Sequence, residues 1–331
     1  MSSRVLSLGV HIVDVLGRPI AAPPIAGGRH LMEDVRITAA GTAAGTSADL
    51  AKLGVETAVL GAIGDDHLGE LLVGMLGSHG VDTTRLARKP GLQTSVSILL
   101  IGADGERHTV LRLPGANSHL SLEDIDFEAI AQAELLHIGG ADVLGDFAGA
   151  PLVEVMAYAR SHGVLTSLDV LGECDERTAE RLAPALRHAN YFLPNADQLS
   201  GITGCDEPAE AARVLRRLGV SCVVATLGAE GSLVSSDDDE VFLPAFDVPV
   251  VDTTGCGDAY AAGFIVGLLS GWSEPSAGWL GTAAASLVVQ GLGSDAGISD
   301  LESTLAFLAE RAPAEIAELA RSLSVSGASG R

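Results

Sequence analysis

Two aspartates, Asp252 and Asp258, flank the turn Gly255-Cys256-Gly257 within VVDTTGCGDAYAAGFIVGLLSG, Val250 to Gly271. A carboxylate beside such a turn can take a proton from a hydroxyl, and the glycines let backbone N–H groups converge where side chains would block them. Val248, Val250 and Val251 read as a strand end, and the residues after Asp258 read as a helix, small or apolar on every face and closed by Gly271. Such a helix is buried. Its amino end, with unpaired N–H groups and about half a unit of positive charge, is held against the turn and suits an anion, phosphate above all. An acid in a first helical turn would also be expected of capping, which accounts for neither the paired glycines nor Thr253 and Thr254. Phosphoryl transfer needs positioning and charge stabilisation, and a cradle with Asp258 beside it offers both.

Something must hold that turn in place. Strand-like runs recur at Val5–Val10, Thr57–Leu60, Leu135–Ile138, Val164–Leu168, Tyr191–Leu193 and Cys222–Thr226. Between most of them lie helix-period stretches, at Thr42–Leu53, His67–His79, Phe147–His162, Glu176–His188 and Pro208–Leu218. The alternation predicts an α/β fold, a doubly wound and mostly parallel sheet with helices on both faces and its ligands beyond the carboxyl ends of the strands. Two β-type insertions interrupt it: residues 17–40, ending in the extended run Val35–Thr38, and residues 95–113, a hairpin turning at Asp104-Gly105. They read as a small β-sheet lid, hinged near Gly41 and near Gly115-Ala116-Asn117, on a large body made of residues 1–16, 41–94 and 114–322. A second hairpin, Gly231–Ser236 with Val241–Pro244, is expected to edge the nucleotide side, and residues 323–331 to form a mobile tail.

Composition narrows the function. The chain of 331 residues carries a formal net charge of −23, with Lys52 and Lys89 its two lysines, so nucleic acid and anionic membranes are excluded as partners. No segment is a membrane span, the amino terminus reads as a first buried strand, and Cys174, Cys205, Cys222 and Cys256 read as free thiols of a cytoplasmic protein. Neither lysine stands in a Walker-type Gly-Lys-Ser/Thr, and G-x-S-x-G and H-E-x-x-H are missing. A dinucleotide fingerprint fails because Tyr260 occupies the third glycine position after Gly255 and Gly257. His137 in its apolar strand reads as a satisfied core residue, and Arg107 and Arg112 as solvated lid charges that could also reach a phosphorylated substrate.

DTTGCGD, Asp252 to Asp258, resembles the carboxy-terminal signature of the ribokinase-like (phosphofructokinase-B type) carbohydrate kinases, D-T-x-G-A-G-D. GAIGDDHLGELLVGMLGSHGVDT (Gly61 to Thr83), LPGAN (Leu113 to Asn117), LPNADQLSGITG (Leu193 to Gly204) and ATLGAEGSLV (Ala225 to Val234) fall in that family's order, so the likeness covers about residues 4–310. It implies transfer of the γ-phosphate of ATP to a hydroxyl of a sugar or sugar-like molecule. Asp258 is then the general base, and Gly255, Cys256 and Gly257 supply the anion hole. By the same likeness Asp14, at the end of the first strand, Gly41, Gly45 and Asn117 bind the acceptor, while Asn195, Thr226, Gly228, Gly231, Thr254 and Ala285 bind the nucleotide. Magnesium is implied near Asp197 and Gln198 through water, and potassium at backbone oxygens around Asp252, Thr254 and Ser294.

The chain departs from that pattern in places. Cys256 stands for the commoner alanine, Ala40 for a glycine and Gly45 for the substrate-contacting asparagine, which leaves the acceptor open. Gln198 stands for a glutamate: Asp197 substitutes for it, metal binding is weaker, or the water network accepts an amide. A nucleoside kinase on the same scaffold and a non-catalytic nucleotide- or sugar-binding protein are the competing readings. Relatives dimerise through their lids, and the exposed lid face here would support a homodimer.

Overall fold

The structure, a computed structural model, describes residues 4–20, 31–102, 107–294 and 296–328. The strands are β1 (Val5–Gly9), β2 (Ile12–Ile20), β3 (Asp34–Ala40), β4 (Thr57–Gly64), β5 (Leu86–Lys89), β6 (Val96–Gly102), β7 (Arg107–Leu113), β8 (Leu135–Gly139), β9 (Leu165–Leu168), β10 (Tyr191–Phe192), β11 (Cys222–Thr226), β12 (Ser232–Ser235) and β13 (Glu240–Leu243). The helices are α1 (Thr42–Lys52), α2 (His67–Ser78), α3 (Phe127–Gln132), α4 (Ala150–Ser161), α5 (Glu176–Leu186), α6 (Ala196–Thr203), α7 (Pro208–Arg217), α8 (Cys256–Leu269), α9 (Glu274–Val288), α10 (Leu301–Arg311) and α11 (Ala314–Ala328). Nine strands form one sheet in the order β13-β12-β11-β10-β9-β8-β1-β4-β5, parallel throughout except for the β12–β13 hairpin at one edge.

Period-two alternation sends neighbouring residues to opposite faces of this sheet. Val5 and Leu135 pack with α1, α8, α9, α10 and α11, whereas Leu6 and Leu136 pack with α4, α5, α6 and α7. The strands are therefore apolar on both faces, as a doubly covered parallel sheet requires. Helix α8 is buried along its length from Asp258 to Gly267 because α1 and α9 cover it. Burying side chains such as Phe264 and Ile265, at about 1.5–3 kcal/mol each, fixes its amino end against the carboxyl side of the sheet.

The remaining four strands make a small sheet in the order β3-β2-β6-β7. It takes in more of the chain than expected: β2 starts at Ile12, so Asp14 lies inside the small sheet and does not end the first strand. Gly9 ends β1. It has φ 147°, and a Cβ there would run into the carbonyl of Gly139, so the chain leaves the large sheet at this point and crosses into the small one. The expected turn at Asp104-Gly105 lies outside the described residues. In the stretch expected as a tail, α11 continues to Ala328, Leu323 packs against the core, and the last three residues lie outside the description. Nothing in SLSVSGA carries a proline to stop it.

Candidate active site

A cavity of about 1280 Å³ lies between the small sheet and the carboxyl ends of the parallel strands. Gly255 caps α8 with φ 83° and no side-chain cap, and a Cβ there would strike the backbone of Ser294. In the first turn, the Cys256 N–H makes a long 3.4 Å bond to the Thr253 carbonyl, and those of Gly257 and Asp258 have no protein acceptor among the described residues. A Cβ on Gly257 would meet no protein atom. Free amides around open space at a buried helix start form an anion cradle. All three turn residues line the cavity, as does Thr254.

Asp252 holds the turn from behind. Its fully buried carboxylate accepts the Thr254 N–H at 3.0 Å, the Thr254 hydroxyl at 2.8 Å and the Gly293 N–H at 2.9 Å. The neighbouring Ser294 hydroxyl donates to the Ala39 carbonyl at 3.1 Å, so the loop is tied to the small sheet as well.

Asp258 stands at the cavity wall, nearly buried. Burial, with Asp49 and then Asp14 adding like charge, pushes its carboxyl up to about 8. A carboxylate with that proton affinity can accept the proton of an attacking hydroxyl near neutral pH. Asp14, Gly41 and Thr42 line the same end of the cavity, together with Ser97, Leu99 and Arg112 from the small sheet. Arg112 therefore faces the cavity and is more than a solvated lid charge; the side chain of Arg107 lies outside the described residues.

Two expected acceptor contacts have other tasks. Gly45 is buried on the α1 face against α8, where a Cβ would come within 2.4 Å of Asp258 Oδ2; it makes room for the carboxyl and does not line the cavity. The side chain of Asn117 accepts from the His11 N–H at 3.1 Å and donates to the His11 carbonyl at 2.8 Å and to Ser95 Oγ at 2.7 Å. It ties the crossing between the sheets and lies off the cavity wall.

The opposite end is lined by Asn195, Thr226, Gly228, Gly231, Phe246, Ala285 and Val289, which brings the expected nucleotide residues together. Asn195 and Gln198 form a reciprocal cap on α6: Asn195 Oδ1 accepts the Gln198 N–H and Gln198 Oε1 accepts the Asn195 N–H, each at 2.9 Å. Gln198 Nε2 donates to the Val170 carbonyl at 2.8 Å. Both ends of the Gln198 amide, where magnesium is expected through water, are thus engaged in positioning the start of α6; a glutamate would turn a carboxylate oxygen toward that carbonyl. Asp197 remains exposed at the cavity edge.

Sequence reasoning missed Asp169, which follows β9 directly and lines the cavity. It sits at the carboxyl end of a parallel strand, the position that ligands favour, and that signal was available. It also missed Asp142, whose carboxylate accepts the N–H groups of Leu171 and Gly172 at 2.7 and 2.8 Å and shapes the loop that receives Gln198.

Residues 4–301 match the family model described as pfkB family carbohydrate kinase. The chain belongs to this family. It is 32% identical to the aminoimidazole riboside kinase of Salmonella typhimurium over 68% of this chain and 72% of the relative. It is 30% identical to the ribokinase of Haemophilus influenzae over 83% of this chain and 89% of the relative. Among solved structures, Arabidopsis thaliana ribokinase complexed with ribose and ATP superposes with a TM-score of 0.79 at 25% identity, covering 93% of this chain and 99% of that one. The protein is thus a sugar or nucleoside kinase of the pfkB family with the ribokinase fold. Among the described residues no helix is long and apolar enough to cross a membrane.

Proposed function

We propose that this pfkB-family kinase transfers the γ-phosphate of magnesium-bound ATP to a hydroxyl of a sugar or sugar-like acceptor, with Asp258 as general base. The observation that carries this reading is the convergence of the Asp258 carboxyl and the free amides of the α8 amino end on one cavity. The acceptor hydroxyl gives its proton to Asp258 as its oxygen bonds to the γ-phosphorus and the bond to the ADP oxygen breaks. The amides at Gly255–Asp258 and the helix dipole meet the charge on the transferred group. Among the described residues no group of three His, Cys, Asp or Glu side chains is placed to hold a metal ion. Magnesium carried by the triphosphate would neutralise phosphate charge when bound, and Asp197, exposed at the cavity edge, would meet it through its water shell. Backbone oxygens near Asp252, Thr254 and Ser294 are the proposed potassium contacts, since the Asp252 carboxylate is already engaged.

The acceptor end favours a sugar over a nucleoside. Ile12, Leu99 and Val110 are its apolar residues, and no aromatic ring lines it among the described residues to stack a base. The deciding experiment is ADP release from magnesium-ATP against a panel of sugars, sugar phosphates and nucleosides, with Asp258→Asn alongside. Acceptor-dependent turnover in the wild type, lowered a hundredfold or more in the variant, is the expected result; equal rates in both proteins would refute the base.

The outer face of the small sheet supports the homodimer reading. Strand register aligns Ile37, Val15, Ile98 and Leu111 in one row across all four strands, and Ile37, Ile98 and Leu111 are exposed. A row of this kind on an open sheet is an association surface. Sedimentation should give a dimer that Ile98→Asp converts to monomer.

A further inference from the structure

Beside Asp258 the cavity holds a second polar constellation, made by α1 and β9. The first residue of α1, Thr42, and the residue after β9, Asp169, are both more than nine-tenths buried and both line the cavity. Asp169 Oδ1 accepts the Gly140 N–H at 2.8 Å. Its Oδ2 lies 3.8 Å from His137 Nε2, too far for a hydrogen bond, and His137 is occupied through Nδ1 with Ser167 Oγ at 2.9 Å. The Thr42 hydroxyl is close enough to Asp169 to affect its titration, yet it makes no hydrogen bond of good geometry. A buried hydroxyl without a well-formed hydrogen bond, beside a carboxyl group in a cavity wall, carries a desolvation cost that a bound polar group would relieve.

The charge around them selects that group. Asp14, Asp169 and Asp258 all line this end, and Arg112 is the sole basic residue among the described lining residues. Its guanidinium already lies in the fields of Asp142 and Asp14. A second anionic group on the acceptor would therefore face three carboxyl groups. A neutral hydroxyl would not, and it can both donate and accept. Burial, and next the charge of Asp258, raises the proton affinity of Asp169 well above the usual carboxylate range, so Asp169 too can take part as a neutral donor–acceptor.

We infer that Thr42 and Asp169 form an acceptor subsite for a neutral hydroxyl other than the one phosphorylated, which makes the substrate an uncharged polyhydroxy compound rather than a sugar phosphate or sugar acid. This rests on the kinase reading and adds a residue pair and a charge class to it. Asp169 touches the substrate but not the transferred group, so it governs acceptor affinity.

The test uses the full chain with D-ribose, D-fructose, D-gluconate and D-fructose 6-phosphate as probes, by ADP release and by calorimetric binding. The preferred acceptor should be one of the neutral sugars. Asp169→Ala and Thr42→Val should each raise its KM tenfold or more and leave the KM for magnesium-ATP within twofold. Unchanged thermal stabilisation by magnesium-ATP shows that these variants are folded. Binding measured in Asp258→Asn separates the two readings. If the wild type turns over no probe, the kinase reading is in question, but neutral-sugar binding kept in Asp258→Asn and lost in Asp169→Ala still supports the subsite. Preference for gluconate or fructose 6-phosphate, unchanged acceptor KM in Asp169→Ala, or failure of both neutral sugars to bind would overturn it.

Discussion

At the α8 end of the cavity the polar groups are mainly main chain, whereas at the small-sheet end they are side chains from distant segments. The cradle comes from one contiguous run, Thr254 to Asp258, locked by Asp252. The end proposed for the acceptor draws Asp14 from β2, Thr42 from α1, Arg112 from β7 and Asp169, which follows β9. Backbone amides bind a phosphate whatever the acceptor, so one end can serve many kinases unchanged. Side chains decide which hydroxyls fit, and changing them changes the substrate. Asp258 belongs to both ends, and it is where the contrast can be tested most strongly.

Replacing Asp258 by Asn should produce the largest effect, a fall in kcat of a hundredfold or more with the KM for magnesium-ATP nearly unchanged. A comparable rise in that KM would mean that the two ends are not separable. Gly45→Ala should come next. The added Cβ meets the far end of the Asp258 side chain, a group that can swing away, while Gly45 sits in a helix where alanine is preferred. We expect kcat to fall about ten- to a hundredfold with little loss of melting temperature. Gly257→Ala gives the matching test at the other end: its Cβ fills open cradle space, so nucleotide stabilisation should weaken while the free protein stays folded.

Proton linkage gives a smaller, graded effect. The Asp258 carboxyl stands at about 8 in the folded protein against an ordinary aspartate value of 3.8. Between those values the folded state holds a proton that unfolding releases, so this group's contribution to stability is complete below about pH 4 and is lost as pH rises through 8. Asp258→Asn removes the dependence. Its melting temperature should exceed that of the wild type by a margin that widens from pH 4 to pH 8 and then levels off. In turnover, kcat/KM should rise with pH toward a limb near 8. Asp49→Asn, which removes the stronger of the two like charges acting on Asp258, should move that limb to lower pH; an unmoved limb would assign it to another group.

What could be read from the chain follows the same division. DTTGCGD announces its cradle because turn, cap and the proposed base lie within seven residues, so local spacing carries the geometry. The alternation of strands and helices likewise declared the parallel sheet, since each strand needs both faces covered. Gly45 and Asn117 occupy the right motif positions, yet their tasks depend on what packs against them: Asp258 from α8 in one case, His11 and Ser95 in the other. Spacing along the chain contains neither contact. The extent of β2 was missed for a related reason, since Val10 and His11 are as buried as a continuing strand while the chain changes sheets there.

The smallest effect expected is at the Asn195–Gln198 cap, and it tests whether that segment is structural or metal-binding. Asn195→Ala removes one acceptor at the start of α6, which costs about 1 kcal/mol, or about 2 °C in melting temperature for a chain of this size. Gln198→Glu keeps the capping bond to the Asn195 N–H but turns a second carboxylate oxygen toward the Val170 carbonyl. If Gln198 only positions the loop, this variant should lose stability in the absence of nucleotide and gain no affinity for magnesium in a titration at fixed ATP. If magnesium affinity rises several-fold instead, the segment retains a metal-facing geometry, and the α8 end would then depend on side-chain chemistry as the acceptor end does.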